Sequence, residues 1–274
     1  MPVCEMCGRT LRPASRGRPP RYCSRACRAR AYRLRAARPS VSPAHEAAPS
    51  DEPGPHLNRE RIVRAAIDLA DRHGAEAVSM RRTATHLQAG VMSLYRYVSG
   101  REELIELIVD AVFGARPLPE PGPEGWRAKL ELSARREWEI YQAHPWVPQL
   151  VAATTRPPLA PNLMAYTDWR MRAVDGHGLD FGTLTQVAIM IGTYLQSAAM
   201  PLAYERRAAR ATRQSRQEWV AARQETIRHA LASAELPMVS RFSTEAYDAS
   251  EPERIFEFGL QRMLDGIAAL LGPG

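Results

Sequence analysis

The amino-acid sequence predicts an all-α protein, and three observations support that prediction. Apolar residues recur at intervals of three and four through most of residues 57–271, which is the periodicity of helices with one buried face. Residues that cap or terminate helices bound these stretches, as Asn58, Gly74 and Ser79 do. No stretch of convincing length shows the alternation that marks a half-buried strand. At 274 residues the chain has room for two or three compact units.

The charge of the chain is concentrated at its N-terminus. Residues 1–38 contain eleven arginines and one acid, Glu5, whereas the whole chain has a net charge of only +7. The remaining body is therefore slightly acidic, and the basic head is expected to bind a polyanion. A codon bias toward arginine is the simple alternative for the arginine content, but it does not explain where the arginines cluster.

The four cysteines of the chain all lie in this head. Cys4, Cys7, Cys23 and Cys27 follow the spacing C-x2-C-x15-C-x3-C, which is typical of tetrahedral zinc coordination by two pairs of thiolates. A segment this short would depend on the metal for its folding. Residues 1–38 are thus predicted to form a small zinc-binding module, with zinc as a structural cofactor. An unstructured or redox-active cluster is the alternative.

Two further features of the head concern DNA. Arg16-Gly17-Arg18-Pro19 matches the core of the AT-hook, a motif that enters the minor groove, although a solvated loop has the same composition. The stretch after Cys27 can form a basic helix that follows phosphates, or a solvated tail. Residues 39–56 contain five prolines among small and acidic residues, so they are predicted to be a disordered linker.

The next segment has the layout of a helix-turn-helix motif. Leu57 and Asn58 predict a hydrophobic staple and an N-cap for a first helix that Gly74 terminates. Ser79 is expected to cap a second helix. After a turn at residues 88–90, a third helix over residues 91–98 would lie in the DNA major groove.

A fourth helix completes this unit. Ser99 and Glu102 are spaced as a capping box at its start, and an apolar stripe follows from Leu104. The DNA-binding domain is therefore predicted to cover residues 57–114.

Residues 57–113 resemble the N-terminal domain of the TetR family of transcriptional regulators. The resemblance is carried by two motifs, [ST]-x-R-x-x-A-x-x-L from Ser79 to Leu87 and S-L-Y-x-Y-V from Ser93 to Val98. Two positions depart from the family pattern. Thr83 stands where the family usually has an aliphatic residue, and Gln88 stands where it usually has glycine.

The resemblance implies two kinds of DNA contact. Side chains that hold phosphates would fix the register of the recognition helix, and these are Ser79, Tyr95, Tyr97 and Arg101. Side chains that reach base edges would read the sequence, and these are Arg81, Val91, Met92, Ser93 and Arg96. Packing inside the three-helix core is the alternative for each aromatic, and for Tyr95 the two can be combined.

Residues 115–274 are predicted to be helical throughout. Helices are expected over residues 124–143, from Trp146, over 160–175, 181–206 and 207–233, and last from a box formed by Ser250 and Glu253. The resemblance implies that this body is a ligand-binding and dimerisation domain. The apolar faces of residues 184–202 and 255–271 would then pair across a two-fold axis, unless both belong to the core of one chain.

An effector pocket in the body is predicted from aromatic residues. An aromatic cavity could hold a flat or apolar small molecule, although core packing is the alternative for each member. The candidate residues are Trp138, Tyr141, Trp146, Tyr166, Trp169, Met190 and Tyr194.

The sequence gives no positive support for an enzyme, because common catalytic motifs are absent and the carboxylates are scattered. No signal peptide is visible, and polar residues with Pro201 favour a buried helix over a membrane span for residues 181–204. We therefore expect a cytoplasmic, nucleoid-associated repressor that binds a near-palindromic operator as a homodimer and responds to a small molecule. The alternatives are an architectural DNA-binding protein stabilised by zinc without an inducer, and a regulator that senses redox state or zinc through its cysteines.

Overall fold

The computed structural model describes residues 3–4, 6–11, 22–24, 27, 57–152, 158–232, 236–241 and 244–272. They belong to two units, Met1–Gly54 and Pro55–Gly274. The AT-hook-like segment, the basic stretch after Cys27 and the linker 39–56 lie outside these residues. In the small unit, Val3 and Thr10 form an antiparallel bridge.

Eleven α-helices occupy the described part of the large unit, and the all-α prediction is confirmed there. They are α1 (Arg59–His73), α2 (Met80–His86), α3 (Val91–Leu94), α4 (Arg101–Gly114), α5 (Trp126–Ala143), α6 (Val147–Val151), α7 (Pro161–Val174), α8 (Phe181–Thr212), α9 (Arg216–Ala232), α10 (Thr244–Ala249) and α11 (Pro252–Leu271). Short 3-10 turns lie at Ala75–Ala77 and Val239–Arg241.

The ends of α1 follow the sequence signals. The Asn58 side chain accepts a hydrogen bond of 2.8 Å from the Arg61 N–H, so it caps the helix as predicted. Gly74 ends the helix with a φ of 83°, a backbone conformation that glycine adopts without a steric penalty. Ile62 and Ala66 are fully buried on the inner face of α1.

The start of α4 differs from the prediction. The N-cap is Gly100, and Glu103 rather than Glu102 accepts a hydrogen bond of 2.5 Å from the Ser99 N–H. The predicted box was wrong because the extended Gly100 starts the helix one residue late, which turns the next carboxylate toward Ser99. That hydrogen bond holds the pKa of Glu103 below its ordinary value, and the Arg59 guanidinium also pairs with this carboxylate.

The body is a bundle whose central element is α8, which packs against α5, α7 and α11. α8 extends to Thr212, beyond the predicted end at residue 206, and contains Pro201. It ends at Arg213, where φ is 57°. Sequence gave no stop signal at this position, since arginine is an ordinary helix residue.

The last helix also differs in detail from the prediction. Glu251 is the N-cap with Pro252 in the first turn, so the predicted box of Ser250 and Glu253 was wrong. The Ser250 hydroxyl instead donates to the Tyr247 carbonyl at 2.8 Å. Leu270 is exposed, and the buried stripe of α11 comprises Phe256, Leu260, Leu264 and Ile267.

Helix α4 joins the DNA-binding helices to the body. It packs against α1 on one side and against α6 and α7 on the other. Phe113 on α4 makes edge contacts with Tyr141 and Tyr166, at centroid distances of 6.4 Å and 5.1 Å. One continuous core therefore runs from the helix-turn-helix region into the body.

Candidate DNA-binding surface and effector body

The turn between α2 and α3 is fixed by backbone hydrogen bonds. Ser79 caps the start of α2, where its hydroxyl accepts a hydrogen bond from the Arg82 N–H at 3.3 Å. At its end, the Gln88 N–H donates to Thr85 and the Ala89 N–H donates to Ala84, at 3.1 Å and 2.9 Å. This pair of bonds is the Schellman motif, which places Gln88 in the left-handed region with a φ of 53°.

Helix α3 ends at Leu94 and residues 95–97 form a turn, so the recognition helix is shorter than the predicted residues 91–98. Leu94 and Val98 are 0% and 1% exposed, and they hold the short helix on the core. Met92 is 77% exposed, and Tyr95, Arg96 and Tyr97 are also exposed. Val91 and Ser93 are partly buried.

The Arg101 side chain connects the start of α4 to the residue before Ser79. Its Nε donates to the carbonyl oxygen of Val78 at 3.1 Å, next to Ser79 at the start of α2. This contact fixes the guanidinium while leaving its other N–H donors free for an anion. Arg81 is exposed on the first turn of α2.

The body contains a buried polar network that sequence analysis missed. Glu137 and Arg170 are 1% and 2% exposed, and their charged groups are 2.5 Å apart. The Arg170 Nε also donates to the Ser133 hydroxyl at 3.0 Å, and the Tyr141 hydroxyl donates to Glu137 at 2.5 Å. Burial and the adjacent carboxylate raise the pKa of Tyr141 well above its ordinary value. The sequence signal for this network was the presence of two charged residues, Glu137 and Arg170, at helix positions where the periodicity expects apolar residues.

Most of the predicted pocket residues are buried in the helical body. The Trp138 indole stacks on Phe256 at a centroid distance of 4.4 Å, with its N–H unpartnered among the described residues. The Tyr166 hydroxyl donates to the Arg116 carbonyl, and the Trp169 indole donates to the Pro119 carbonyl at 3.3 Å. Met190 is 44% exposed on α8.

The last two predicted pocket residues, Tyr194 and Trp146, donate hydrogen bonds to residues near the ends of other helices. The Tyr194 hydroxyl donates to the carbonyl oxygens of Ile255 and Phe256, at 2.5 Å and 3.0 Å. Trp146 is buried, and its indole N–H donates to the Asp71 carboxylate of α1 at 2.7 Å. The same carboxylate lies 2.8 Å from the His144 Nδ1. Burial raises the pKa of Asp71, but these two hydrogen bonds outweigh it and lower the pKa below its ordinary value.

The small unit brings all four cysteines together. The Sγ atoms of Cys4, Cys7, Cys23 and Cys27 all lie within 4.8 Å of one another. Gly8, with a φ of 72°, closes a tight turn after Cys7 in which its N–H donates to the Cys4 carbonyl at 2.9 Å. Burial raises the pKa of the Cys4 thiol, but hydrogen bonds from nearby backbone N–H groups outweigh it and lower the pKa to about 6.

A helix-turn-helix with an exposed recognition helix, joined through one core to a helical body, defines a DNA-binding regulator. Residues 118–271 match the family model described as Tetracyclin repressor-like, C-terminal domain. The chain is 38% identical over 226 residues to the HTH-type transcriptional repressor DrrR1 of Streptomyces coeruleorubidus, covering 81% of this chain and 82% of that protein. The chain therefore belongs to the TetR family.

Solved structures agree with this assignment. Apo ActR from Streptomyces coelicolor is similar with a TM-score of 0.62 and 28% identity, over 79% of this chain and 97% of ActR. ActR in complex with actinorhodin is similar with a TM-score of 0.59 and 26% identity, over 78% of this chain and 96% of that one.

Family membership establishes the general function. The protein is a transcriptional regulator of the TetR family rather than an enzyme. By length and composition alone α8 could cross a membrane, but it lies inside the matched C-terminal domain and packs against α5, α6, α7 and α11. We therefore assign α8 to the helical core of the C-terminal domain.

Proposed function

We propose that the protein binds a near-palindromic operator as a homodimer and that a planar aromatic molecule releases it. The observation that carries the DNA-binding part is the exposure of Met92 on α3 and of Tyr95, Arg96 and Tyr97 in the turn that follows it. One recognition helix covers half an operator, so a two-fold pair of chains matches a near-palindrome.

The proposed division of labour follows from the chemistry of each side chain. Arg81 and Arg96 would form paired hydrogen bonds with guanine, and Met92 would meet a thymine methyl group, with Val91 and Ser93 close to the bases. Ser79, Tyr95, Tyr97 and Arg101 would bind phosphates. The contact of Arg101 with Val78 supports its role, since a fixed guanidinium loses less freedom on binding.

Alanine substitutions on this face test the proposal. Arg81→Ala and Arg96→Ala should each lower operator affinity by about 1–3 kcal/mol while leaving affinity for random DNA almost unchanged. Fluorescence anisotropy with an operator and a scrambled duplex measures both. Arg228→Ala on α9 is the control. Equal losses on both duplexes would contradict a base-reading role.

The dimer interface is proposed on the outer faces of α8 and α11. Ile189 on α8 and Ile255, Phe258 and Leu270 on α11 are large apolar side chains that one chain leaves 45% to 65% exposed. Such a face favours a four-helix bundle between two chains. Phe258→Glu should convert the protein to a monomer in analytical ultracentrifugation and abolish tight operator binding. A stable Phe258→Glu dimer would contradict this placement.

A planar aromatic effector is proposed from two facts. ActR has been solved in complex with actinorhodin and is similar to this chain over most of its length. The body of this chain also contains the seven aromatic and methionine side chains proposed for the pocket. Trp138, Tyr141, Trp146, Tyr166 and Trp169 are buried, whereas Tyr194 is partly buried and Met190 is exposed. Titrating operator complexes with planar aromatic polyketides should release the DNA. If no planar aromatic compound releases the DNA and an aliphatic metabolite does, the proposed class of effector is wrong.

Zinc is proposed as the structural metal of the small unit. In a tetrahedral site with Zn–S bonds of about 2.3 Å, the sulfur atoms stand about 3.8 Å apart. The separations of 3.4 Å for Cys7 and Cys23 and of 3.6 Å for Cys23 and Cys27 suit that geometry. Elemental analysis of the full chain should find one zinc per chain, and Cys7→Ser should lose it. A metal-free wild type would contradict the proposal.

The basic head is proposed to add phosphate contacts without reading sequence. Deleting residues 1–56 should leave operator preference intact but weaken overall affinity and flatten its salt dependence, because counterion release scales with the number of phosphates neutralised. An unchanged salt slope would contradict this role.

A second candidate function for the head is redox or zinc sensing, which the exposed thiols of Cys7 and Cys23 favour. Operator affinity unchanged by oxidation and by chelation would exclude it.

A further inference from the structure

A cleft of about 350 Å³ lies where the end of α1 faces the last third of α8. Both helices belong to the large unit, so the cleft has one wall on a DNA-binding helix and one wall on the effector body. Its apolar lining includes Trp146, Pro145, Ala75 and Ala203. Its charged lining comprises Asp71, Arg72, His73, Glu76, Arg206, Arg207 and Arg210.

The arginines of α8 keep most of their hydrogen-bonding capacity free. Arg206 donates to the Gln142 carbonyl at 2.9 Å, and Arg210 donates to the carbonyl oxygens of Asp71 and Arg72 at the end of α1. Arg207 makes one exposed pair of 3.4 Å with Glu76. A guanidinium has five N–H donors, so each of these residues has several left for a bound anion.

The acids of the cleft do not cancel this charge. Asp71 is engaged by His144 and Trp146, and Glu76 is exposed and pairs only weakly with Arg207. The three arginines of α8 and Arg72 outnumber these two carboxylates. An anion would therefore be attracted to the α8 wall, where Arg206 and Arg207 could each bind a carboxylate through two parallel hydrogen bonds.

The cleft also offers a surface for a flat ring. Tyr204 on α8 lines it and is 59% exposed, whereas the lining residues Trp146 and Pro145 are buried. The volume falls at the lower end of the range for small-molecule sites, about 300–1,000 Å³. Of the seven side chains proposed for the effector pocket of the body, Trp146 is the one that lines this cleft.

We propose that this cleft is a second effector site, which binds a planar aromatic carboxylate or phenolate. The ring would lie against Tyr204, and the anion would pair with Arg206 and Arg207. The end of α1 lines the same cleft as α8, so a ligand there would favour whichever arrangement of the two helices it binds more tightly. The proposal is independent of which residues line the pocket of the body.

Calorimetry on the full chain with anthraquinone-2-carboxylate as the probe tests the proposal. Arg206→Gln combined with Arg207→Gln should weaken binding at one site by about tenfold or more, because the paired charge-assisted hydrogen bonds are lost. Arg223→Gln combined with Arg228→Gln on α9 removes the same charge outside the cleft. This control should bind as the wild type does.

Three results would overturn the proposal. They are unchanged binding in the Arg206 and Arg207 variant, equal affinity for the neutral anthraquinone-2-carboxamide, and inorganic phosphate binding as tightly as the aromatic acid. A thermal melt of each variant checks that it is folded. Operator affinity without ligand should be the same in the Arg206 and Arg207 variant as in the wild type. A wild type that binds no operator would contradict the proposed function. Unchanged ligand binding in the variant would contradict only the proposed cleft site.

Discussion

At the scale of single residues, Thr83 is the first departure from the family pattern that has a physical consequence. Its side chain is fully buried in the core of the helix-turn-helix, and its hydroxyl has no hydrogen-bond partner among the described residues. A buried hydroxyl without a partner costs about 1–3 kcal/mol. An aliphatic residue of the same shape would avoid that cost.

Thr83→Val should therefore raise the free energy of unfolding by about 1 kcal/mol, because it removes the unpartnered hydroxyl and keeps the volume. Urea unfolding at a fixed protein concentration measures the change. Thr85→Val is the matched control, since the exposed Thr85 hydroxyl donates to the Arg81 carbonyl at 3.0 Å. A loss of stability in Thr83→Val would mean that the hydroxyl is satisfied.

Gln88 is the second departure from the family pattern. Its backbone conformation explains why the family usually has glycine at this position. The Schellman motif that ends α2 requires a left-handed residue at this position, and Gln88 adopts it with a φ of 53°. Gln88→Gly should raise the free energy of unfolding by about 1 kcal/mol, whereas Gln88→Ala should not, because only glycine lacks the Cβ clash. Equal effects of the two substitutions would contradict the account.

At the scale of elements, α5 and α7 are joined by the buried pair of Glu137 and Arg170. Removing one partner of such a pair leaves a buried charge, so Glu137→Gln should lower the free energy of unfolding by about 3–5 kcal/mol. Glu131→Gln, which breaks the half-exposed pair with Arg135, should cost under about 1 kcal/mol. Urea unfolding compares the two. Similar small losses would show that the Arg170 charge is solvated.

Helices α8 and α11 approach closely at Gly259. A Cβ at this position would overlap the Tyr194 hydroxyl, which two carbonyl oxygens of α11 hold in place. Gly259→Ala should therefore destabilise the protein by about 1–3 kcal/mol through overpacking. Gly266→Ala on the same helix meets no atom within 4 Å and should gain helix propensity instead. Thermal melts compare the two, and a stabilising Gly259→Ala would contradict the packing.

Helix boundaries show where sequence reasoning succeeded and where it failed. The caps at Asn58 and Ser79 were confirmed because a single short polar side chain bonds the backbone of its own first turn. The boxes at Ser99 and Ser250 were wrong because each helix starts one residue later, after Gly100 and after Glu251, and Pro252 favours the first turn of the second helix.

At the scale of the whole molecule, the same limit applies to the buried charges. Periodicity predicted which helix faces turn inward. The pairing of Glu137 with Arg170, however, joins α5 to α7 through two residues that are 33 positions apart in the sequence. The contact between Asp71 and Trp146 likewise joins α1 to the body across 75 residues. Sequence analysis could anticipate the helix-turn-helix, whose contacts are local. It could not anticipate contacts that only the folded bundle brings together.

The link between Asp71 and the body should make the molecule sensitive to acid. The pKa of Asp71 is lowered in the folded state, so its contribution to stability is present above its unfolded pKa and is lost as the pH falls through the folded value. Asp71→Asn should therefore flatten the pH dependence of the melting temperature below about pH 4. The same slope in both proteins would show that Asp71 contributes nothing.

The central claim is that two copies of this chain read a symmetric operator through α3. Selection of bound sequences from a random DNA library by the full-length protein tests it most directly. We expect an inverted repeat whose half-site centres are separated by about 10–10.5 base pairs or a multiple of that spacing, and which Arg96→Ala no longer enriches at one position per half-site. Enrichment of a single unpaired site, or of no common sequence, would contradict the claim.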